Sequence, residues 1–299
     1  MSATTQPHHG GSAMSAIAGP AIMLVGMLMF SLNDAMGKWL VASYSVGQVI
    51  LIRSVAALII LAPFLWRAGL QPIVRAEKPL LQAARVFFST LEVFAFYYAV
   101  MYLPLADVMT YWLAAPIYVA AASPFLLGEK VGWRRWAAIS IGFVGVIIAL
   151  NPSSAMFTTP AIISIVGTVA FAFMMVSGRS LRATPDKTLV FFQLIGALIA
   201  GFIFAPFDWR PMETSTDLVL MLLLGIVAMA AHMLVNRALK ISDAATVAPL
   251  QYTLLLWAVL FGWMFFGDVP RTSMMIGAVL IVGSGLFIFF REQRVKREA

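Results

Sequence analysis

The sequence predicts an all-α integral membrane protein: ten transmembrane helices in two inverted five-helix repeats around a central cavity. Three observations predict it. Of 299 residues 62% are hydrophobic and 11% charged, against about 25% charged in an ordinary soluble domain, so the natural solvent is lipid. Ten apolar runs of roughly 18–24 residues each suffice for a hydrocarbon core of about 30 Å. The first half of the chain is echoed, weakly but in order, by the second.

Residues 1–19 are small and polar, with His8 and His9 but no Lys or Arg. A signal peptide needs a basic region ahead of its apolar core, so this stretch reads as a solvated, disordered tail with no metal site. The predicted spans follow at 20–41, 46–66, 80–102, 105–127 and 133–150, then 160–180, 187–206, 217–239, 243–266 and 272–290. Backbone groups find no water in lipid and these runs are far longer than barrel strands, so each is read as a helix. The fourth carries Pro116 and Pro124 and the ninth Pro249, which interrupt their helices. Short connections rich in Pro, Asn and Asp, such as Asn151-Pro152-Ser153-Ser154 and Pro206-Phe207-Asp208, leave no room for a soluble domain. Residues 20–150 form the first repeat and 151–290 the second; 291–299 form a basic tail.

An even number of spans puts both termini on one side. With that side taken as the cytoplasm, its loops and tail hold fifteen Lys and Arg, while the other side holds Lys38, Arg210 and Arg271; Arg53 and Arg85 lie within spans. The net charge of +7 is therefore topogenic, and nucleic acid is excluded as a partner. The chain has no cysteine, which removes thiolate metal sites.

A shift of 141 residues carries Gly26, Phe30, Gly37 and Lys38 onto Gly167, Phe171, Gly178 and Arg179. A shift of 139 carries Gly128-Glu129 onto Gly267-Asp268, and one of 136 carries Asp107 onto Asp243. Five spans is an odd number, so the second half enters the membrane upside down. This is the inverted-repeat plan of secondary transporters, whose substrate binds near the midplane between repeats.

Particular motifs add a family resemblance. Ala99-x-x-Tyr-Leu-Pro-Leu-Ala-Asp107, Ala115-Pro116, Leu127-Gly-Glu-Lys-Val131 and Gly142-x-x-Gly145 resemble the EamA domain of the drug/metabolite transporter superfamily. Ala238-Leu239, Asp243-Ala244 and Gly267-Asp268 resemble a second such domain, with Asp268 where Glu is usual. The resemblance covers about residues 20–290. It implies ten helices, a central cavity, alternating access, and export of amino acids, other metabolites or drugs. Ser89-Thr-Leu-Glu92 and the Pro-bearing, aromatic-rich fourth span are similar to the YddG-like aromatic amino acid exporters.

Ionisable groups inside spans cost about 2.5–3.5 kcal/mol each on insertion scales and so need a reason. Glu92 sits near the centre of span three, with Phe96 and Tyr102 continuing its face; it either meets a substrate ammonium or pairs with Arg85 or Arg53. Phe30, Asn33, Asp34, Gly37 and Lys38 form one stripe of span one. Asp34 and Lys38 stand at i,i+4 in the favourable order, and Lys38 can snorkel to the outer end. Asn33 and Asp34 face the cavity or a neighbouring helix. His232, with Met229 and Asn236 on its face, is a proton carrier or a neutral helix contact. Phe171 answers Phe30 in the second half. Tyr111, Trp112, Tyr252 and Trp257 flank the bends at Pro116 and Pro249, where they can stack on an apolar substrate or belong to an interface belt. Asp107 and Asp243 read as helix caps. Gly142-x-x-Gly145 and Gly283-x-Gly285 read as close helix contacts.

The resulting expectation is a bacterial inner-membrane exporter of small amphipathic metabolites, aromatic or apolar amino acids foremost, with both termini cytoplasmic. It needs no cofactor and acts as a monomer or homodimer. Glu92 or Asp34 meets the ammonium; Lys38, Asn33 or helix N-termini meet the carboxylate. A cationic-drug exporter of the same superfamily is the nearest alternative. A membrane-embedded enzyme is distant, because one mid-chain histidine and no HExxH or GxSxG leave no catalytic constellation.

Overall fold

A computed structural model of the chain describes residues 10–69, 78–126, 132–150, 158–181, 184–241 and 248–298, and among these every regular element is helical. The first half holds α1 (Gly10–Ser43), α2 (Val46–Ala68), α3 (Pro79–Tyr102), α4 (Leu105–Trp112), α5 (Ala115–Leu126) and α6 (Trp133–Leu150). The second holds α7 (Thr159–Ser180), α8 (Asp186–Phe204), α9 (Ser215–Ile241), α10 (Thr253–Phe266) and α11 (Thr272–Glu298). Short 3-10 turns, Ala205–Asp208 and Ala248–Tyr252, follow α8 and precede α10. α1 begins at Gly10, within the stretch assigned to the polar tail, and α11 carries the basic C-terminal residues as helix.

Local chemistry sets the boundaries. Ser45 caps α2, its Oγ accepting from the Gln48 N–H at 3.3 Å. α3 starts on Pro79, whose missing N–H costs nothing in a first helical turn. The predicted fourth span is two helices: α4 ends at Trp112 and α5 starts at Ala115, after a turn at Leu113–Ala114. A continuous helix would need an N–H at 116 for the Trp112 carbonyl four residues back, and a proline has none to offer. Pro249 likewise lies in the 3-10 turn, so α10 begins at Thr253; the predicted start of the ninth span at 243 lies outside the described residues.

Six helical stretches are long and apolar enough to cross a membrane: Ala18–Ser43, Val46–Arg67, Pro79–Tyr102, Thr159–Ser177, Lys187–Asp208 and Ser215–Val235. The other predicted spans contain shorter apolar helices. Ile59, Phe202 and Val279 are 65%, 71% and 70% exposed on their helices, a surface that water does not tolerate and acyl chains do.

The two halves pack across each other in a repeating pattern. α1 lies on α9 as α7 lies on α3; α2 touches α9 as α8 touches α3; α1 meets α10 as α7 meets α4 and α5. Three contacts join equivalents: α2 with α8, α4 with α10, and α6 with α11. Exchanging the halves leaves this set unchanged, as duplication requires. The largest core cluster spans both, joining Leu40 and Val41 of α1 to Tyr97 and Val100 of α3, Leu224 of α9 and Phe261 of α10. A second cluster gathers Tyr111, Ile117, Ile139, Met274 and Ile281.

α6 and α11 meet backbone to backbone. A Cβ at Gly145 would stand 3.0 Å from the Gly277 carbonyl, and one at Gly277 2.6 Å from the Gly145 carbonyl. Gly142-x-x-Gly145 thus does what small residues do between membrane helices. Gly283 does not: a Cβ there meets nothing within 4 Å.

Candidate substrate site

Apart from Arg85, the charged residues predicted within spans fall in two places. At mid-height, α1, α2, α3 and α4 bring together Asp34, Arg53, Glu92, Tyr97, Phe96 and Trp112. Glu92 and Asp34 are half-buried, and Arg53 lies close enough to act electrostatically on both carboxylates. Glu92 is held from α4, its Oε1 accepting from the Trp112 indole N–H at 3.1 Å. Trp112 also stands edge-on to Phe96, with ring centroids 5.3 Å apart. Arg53 donates to the Tyr97 hydroxyl and lies 5.3 Å from the centre of that ring. Tyr97 reaches this position because Gly37 leaves α1 bare beside it: a Cβ at Gly37 would fall 2.2 Å from the ring. The group therefore combines two carboxylates, one guanidinium and an aromatic wall.

Neither of the expected arginine pairings of Glu92 is the contact made. Arg85 turns instead to α8, donating to the Leu189 carbonyl at 3.4 Å. Asn33 is a helix-to-helix bond, its Nδ2 donating to Leu224 of α9 at 2.8 Å. Phe30 and His232 form a separate α1–α9 contact, edge to face at 4.6 Å, while His232 Nδ1 lies 2.8 Å from the Ala228 carbonyl of its own helix. Phe171 is half-buried on α7, one turn from Gly167, whose Cα faces Trp112 and Ala95. Tyr111 is buried in the second cluster, with Tyr252 packed against it; the Tyr252 hydroxyl occupies the space a side chain at Gly285 would need. Tyr102 is 59% exposed at the end of α3, away from the group. Pro116 and Pro249 stand at the breaks described above.

The second place is the end of the molecule where α1, α3 and α10 finish. Lys38 does not pair with Asp34; its Nζ donates to Asp268 Oδ2 at 2.6 Å and to the Leu103 carbonyl at 3.2 Å. Asp107 does not cap α4, whose N-cap is Pro104; its Oδ2 accepts from Arg271 at 2.8 Å. Asp243 lies outside the described residues.

Two concavities are lateral. One of about 570 Å³ lies between α3 and α8, and one of about 270 Å³ between α5 and α7; neither is lined by Asp34 or Glu92. Tyr97 joins this group without being singled out in the sequence, and Arg53 is named there only as a mid-span charge and a partner for Glu92. The signal was present for Arg53, a mid-span charge that must find partners. Tyr97 lies five residues from Glu92, off the helical face that was followed.

A chain whose described residues form two equivalent helical halves rich in exposed apolar surface is a membrane protein, and its relatives make it a transporter for small molecules rather than an enzyme. The chain belongs to the EamA-like transporter family, whose model matches residues 17–151 and again 158–290. It is 28% identical to a riboflavin transporter of Rhizobium johnstonii over 287 residues, covering 95% of this chain and 94% of that one. It is 23% identical over 273 residues to an S-adenosylmethionine uptake transporter of Rickettsia prowazekii, covering 91% and 92%. It is also 23% identical over 269 residues to the pseudopaline exporter CntI of Pseudomonas aeruginosa, covering 89% and 93%. A solved crystal structure of 17% sequence identity superposes with a TM-score of 0.64 over 93% of this chain and 99% of that chain, a likeness of fold.

Proposed function

We propose that the protein is a secondary transporter of the bacterial inner membrane, both termini cytoplasmic, that moves small amphipathic metabolites outward. Aromatic or apolar amino acids are the favoured class. Its ten spans form two inverted halves that rock about a site between them, binding substrate from one side and releasing it to the other. The observation that carries this reading is the joining of Asp34, Arg53 and Glu92 to Phe96, Tyr97 and Trp112 at mid-height. An amino acid presents a cation, an anion and an apolar body. The carboxylates receive the ammonium, Arg53 the carboxylate, and the Trp112–Phe96 wall the side chain. The transporter is driven by a proton gradient or by the substrate gradient itself.

The relatives favour a second reading, in which the substrate is a larger heteroaromatic metabolite. S-adenosylmethionine carries an amino acid head, so it suits the same charges. Relatives named for uptake and for export leave direction to measurement. Uptake of labelled Phe, Trp and Tyr into proteoliposomes, loaded and empty, with riboflavin and S-adenosylmethionine as competitors, separates the two. Saturable amino acid flux, reduced about tenfold or more in Glu92→Gln by loss of a charge-assisted contact, is the expected result. Absence of saturable flux for every amino acid removes the substrate class. Wild-type flux in Glu92→Gln at every pH removes Glu92 from the mechanism.

A further inference from the structure

The four charges at the α1–α3–α10 end belong to both halves, and each pair crosses between them. Lys38 of α1 holds Asp268, just beyond α10; Asp107 of α4 holds Arg271, just before α11. Asp107 is almost wholly buried, with 2% of its side chain exposed, while Lys38 and Asp268 keep 14% and 22%. Lys38 is confined further by the Leu103 carbonyl and by the face of Phe266, 4.7 Å from the ring centre. Asp268 is aimed by its turn: Gly267 adopts a left-handed φ of 67°, and the Asp268 N–H returns to the Gly262 carbonyl at 3.0 Å. Within the first half, Lys38 stands one turn beyond Asp34 along α1, so the pairs lie above the central group.

We infer that Lys38–Asp268 and Asp107–Arg271 are the latch closing the transport path at this end, a role separate from substrate binding. The latch rests on the alternating-access reading. A path through the centre opens here only if the halves part, and parting them breaks both pairs. Charge pairs suit this task better than apolar packing: they hold at short range, yet each partner regains water when the end opens. Asp107 Oδ1 has no hydrogen-bond partner among the described residues, so the Oδ2 bond to Arg271 is the side-chain contact that parting the halves would break.

The chain contains no cysteine, so a single introduced thiol reports alone. Val108→Cys places it next to Asp107, at a fully buried position in the cluster shared with Ala258 and Phe261 of α10. Val269→Cys, at a position 74% exposed between the latch residues, identifies the membrane face and monitors correct folding. A membrane-impermeant maleimide is applied to that face in intact cells or inverted vesicles. The latch predicts slow labelling of Val108→Cys, about tenfold faster labelling when Asp268→Asn and Arg271→Gln are added, the shift that loss of a charge-assisted bond brings. Exchange of the first pair, Lys38→Asp with Asp268→Lys, restores protection. Unchanged labelling in the neutralised protein overturns the inference, as does an exchanged pair as open as the neutralised one. If the double neutralisation does not fold, Asp268→Asn alone is compared with the exchange. The readout uses no substrate, so failure of the amino acid reading leaves it intact.

Discussion

Gly225→Ala tests whether α2 and α9 meet as closely as the site demands. A Cβ at Gly225 would stand 2.0 Å from the Arg53 carbonyl oxygen, 2.9 Å from its carbon and 3.2 Å from its Cα. Carbon and carbonyl oxygen rest at about 3.3 Å or more, so the helices must separate by roughly 1.3 Å. Every obstructing atom is backbone, so no rotamer change relieves the clash. Overpacking of this kind costs about 1–3 kcal/mol, and the better helix propensity of Ala returns at most about 1 kcal/mol. A 2.0 Å contact with unyielding backbone belongs in the upper part of that range, about 2–3 kcal/mol, so the net loss of about 1–2 kcal/mol lowers the unfolding midpoint by roughly 2–8 °C.

The control is Gly283→Ala, where an added Cβ meets open space and propensity alone acts, raising the midpoint by roughly 2–4 °C. Thermal unfolding of both variants in one detergent at one scan rate is the assay, since irreversible unfolding makes such midpoints comparable only at fixed rate. Gly225→Ala also moves the backbone that carries Arg53, so its transport falls further than its stability explains. A Gly225→Ala midpoint at or above wild type, or a destabilised Gly283→Ala, refutes the close approach and with it this account of how Arg53 is positioned.

The sequence made the fold legible because lipid imposes one strong rule, that apolar runs of helical length are helices. Even the bend in the fourth span was visible through Pro116; what the pattern lacked was the break's position, the turn at Leu113–Ala114. The site was legible in its parts and not in its pairings. Glu92 and Asp34 stand out as carboxylates in lipid, but helical periodicity relates residues only within one helix. It offered Lys38 as a partner for Asp34, four residues away, whereas Lys38 binds Asp268, 230 residues away. It offered Asp107 a capping role for the same reason, while the carboxylate serves Arg271, 164 residues on. The indole that holds Glu92 comes from α4, because the chain turns back at Leu103-Pro104 and lays Trp112 beside α3. Long-range electrostatics needs the fold before it can be read.

Two further substitutions separate scaffold from site. Asn33→Ala removes the 2.8 Å bond to Leu224 and costs about 1 kcal/mol, read as a lower unfolding midpoint with substrate affinity unchanged; a loss of affinity would return Asn33 to the binding site. Trp112→Phe keeps an aromatic ring against Phe96 and removes the donor to Glu92, leaving a half-buried carboxylate one bond short, at a cost of about 1–3 kcal/mol. If Trp112 acts on transport by orienting Glu92, the two residues are one unit and their effects do not add. Flux through Trp112→Phe combined with Glu92→Gln then matches Glu92→Gln alone. If instead the indole meets substrate independently, the two losses multiply and the double variant is slower by their product. The cycle thus decides whether this tryptophan is part of the wall or the support of the carboxylate behind it, and the 3.1 Å bond argues for the support.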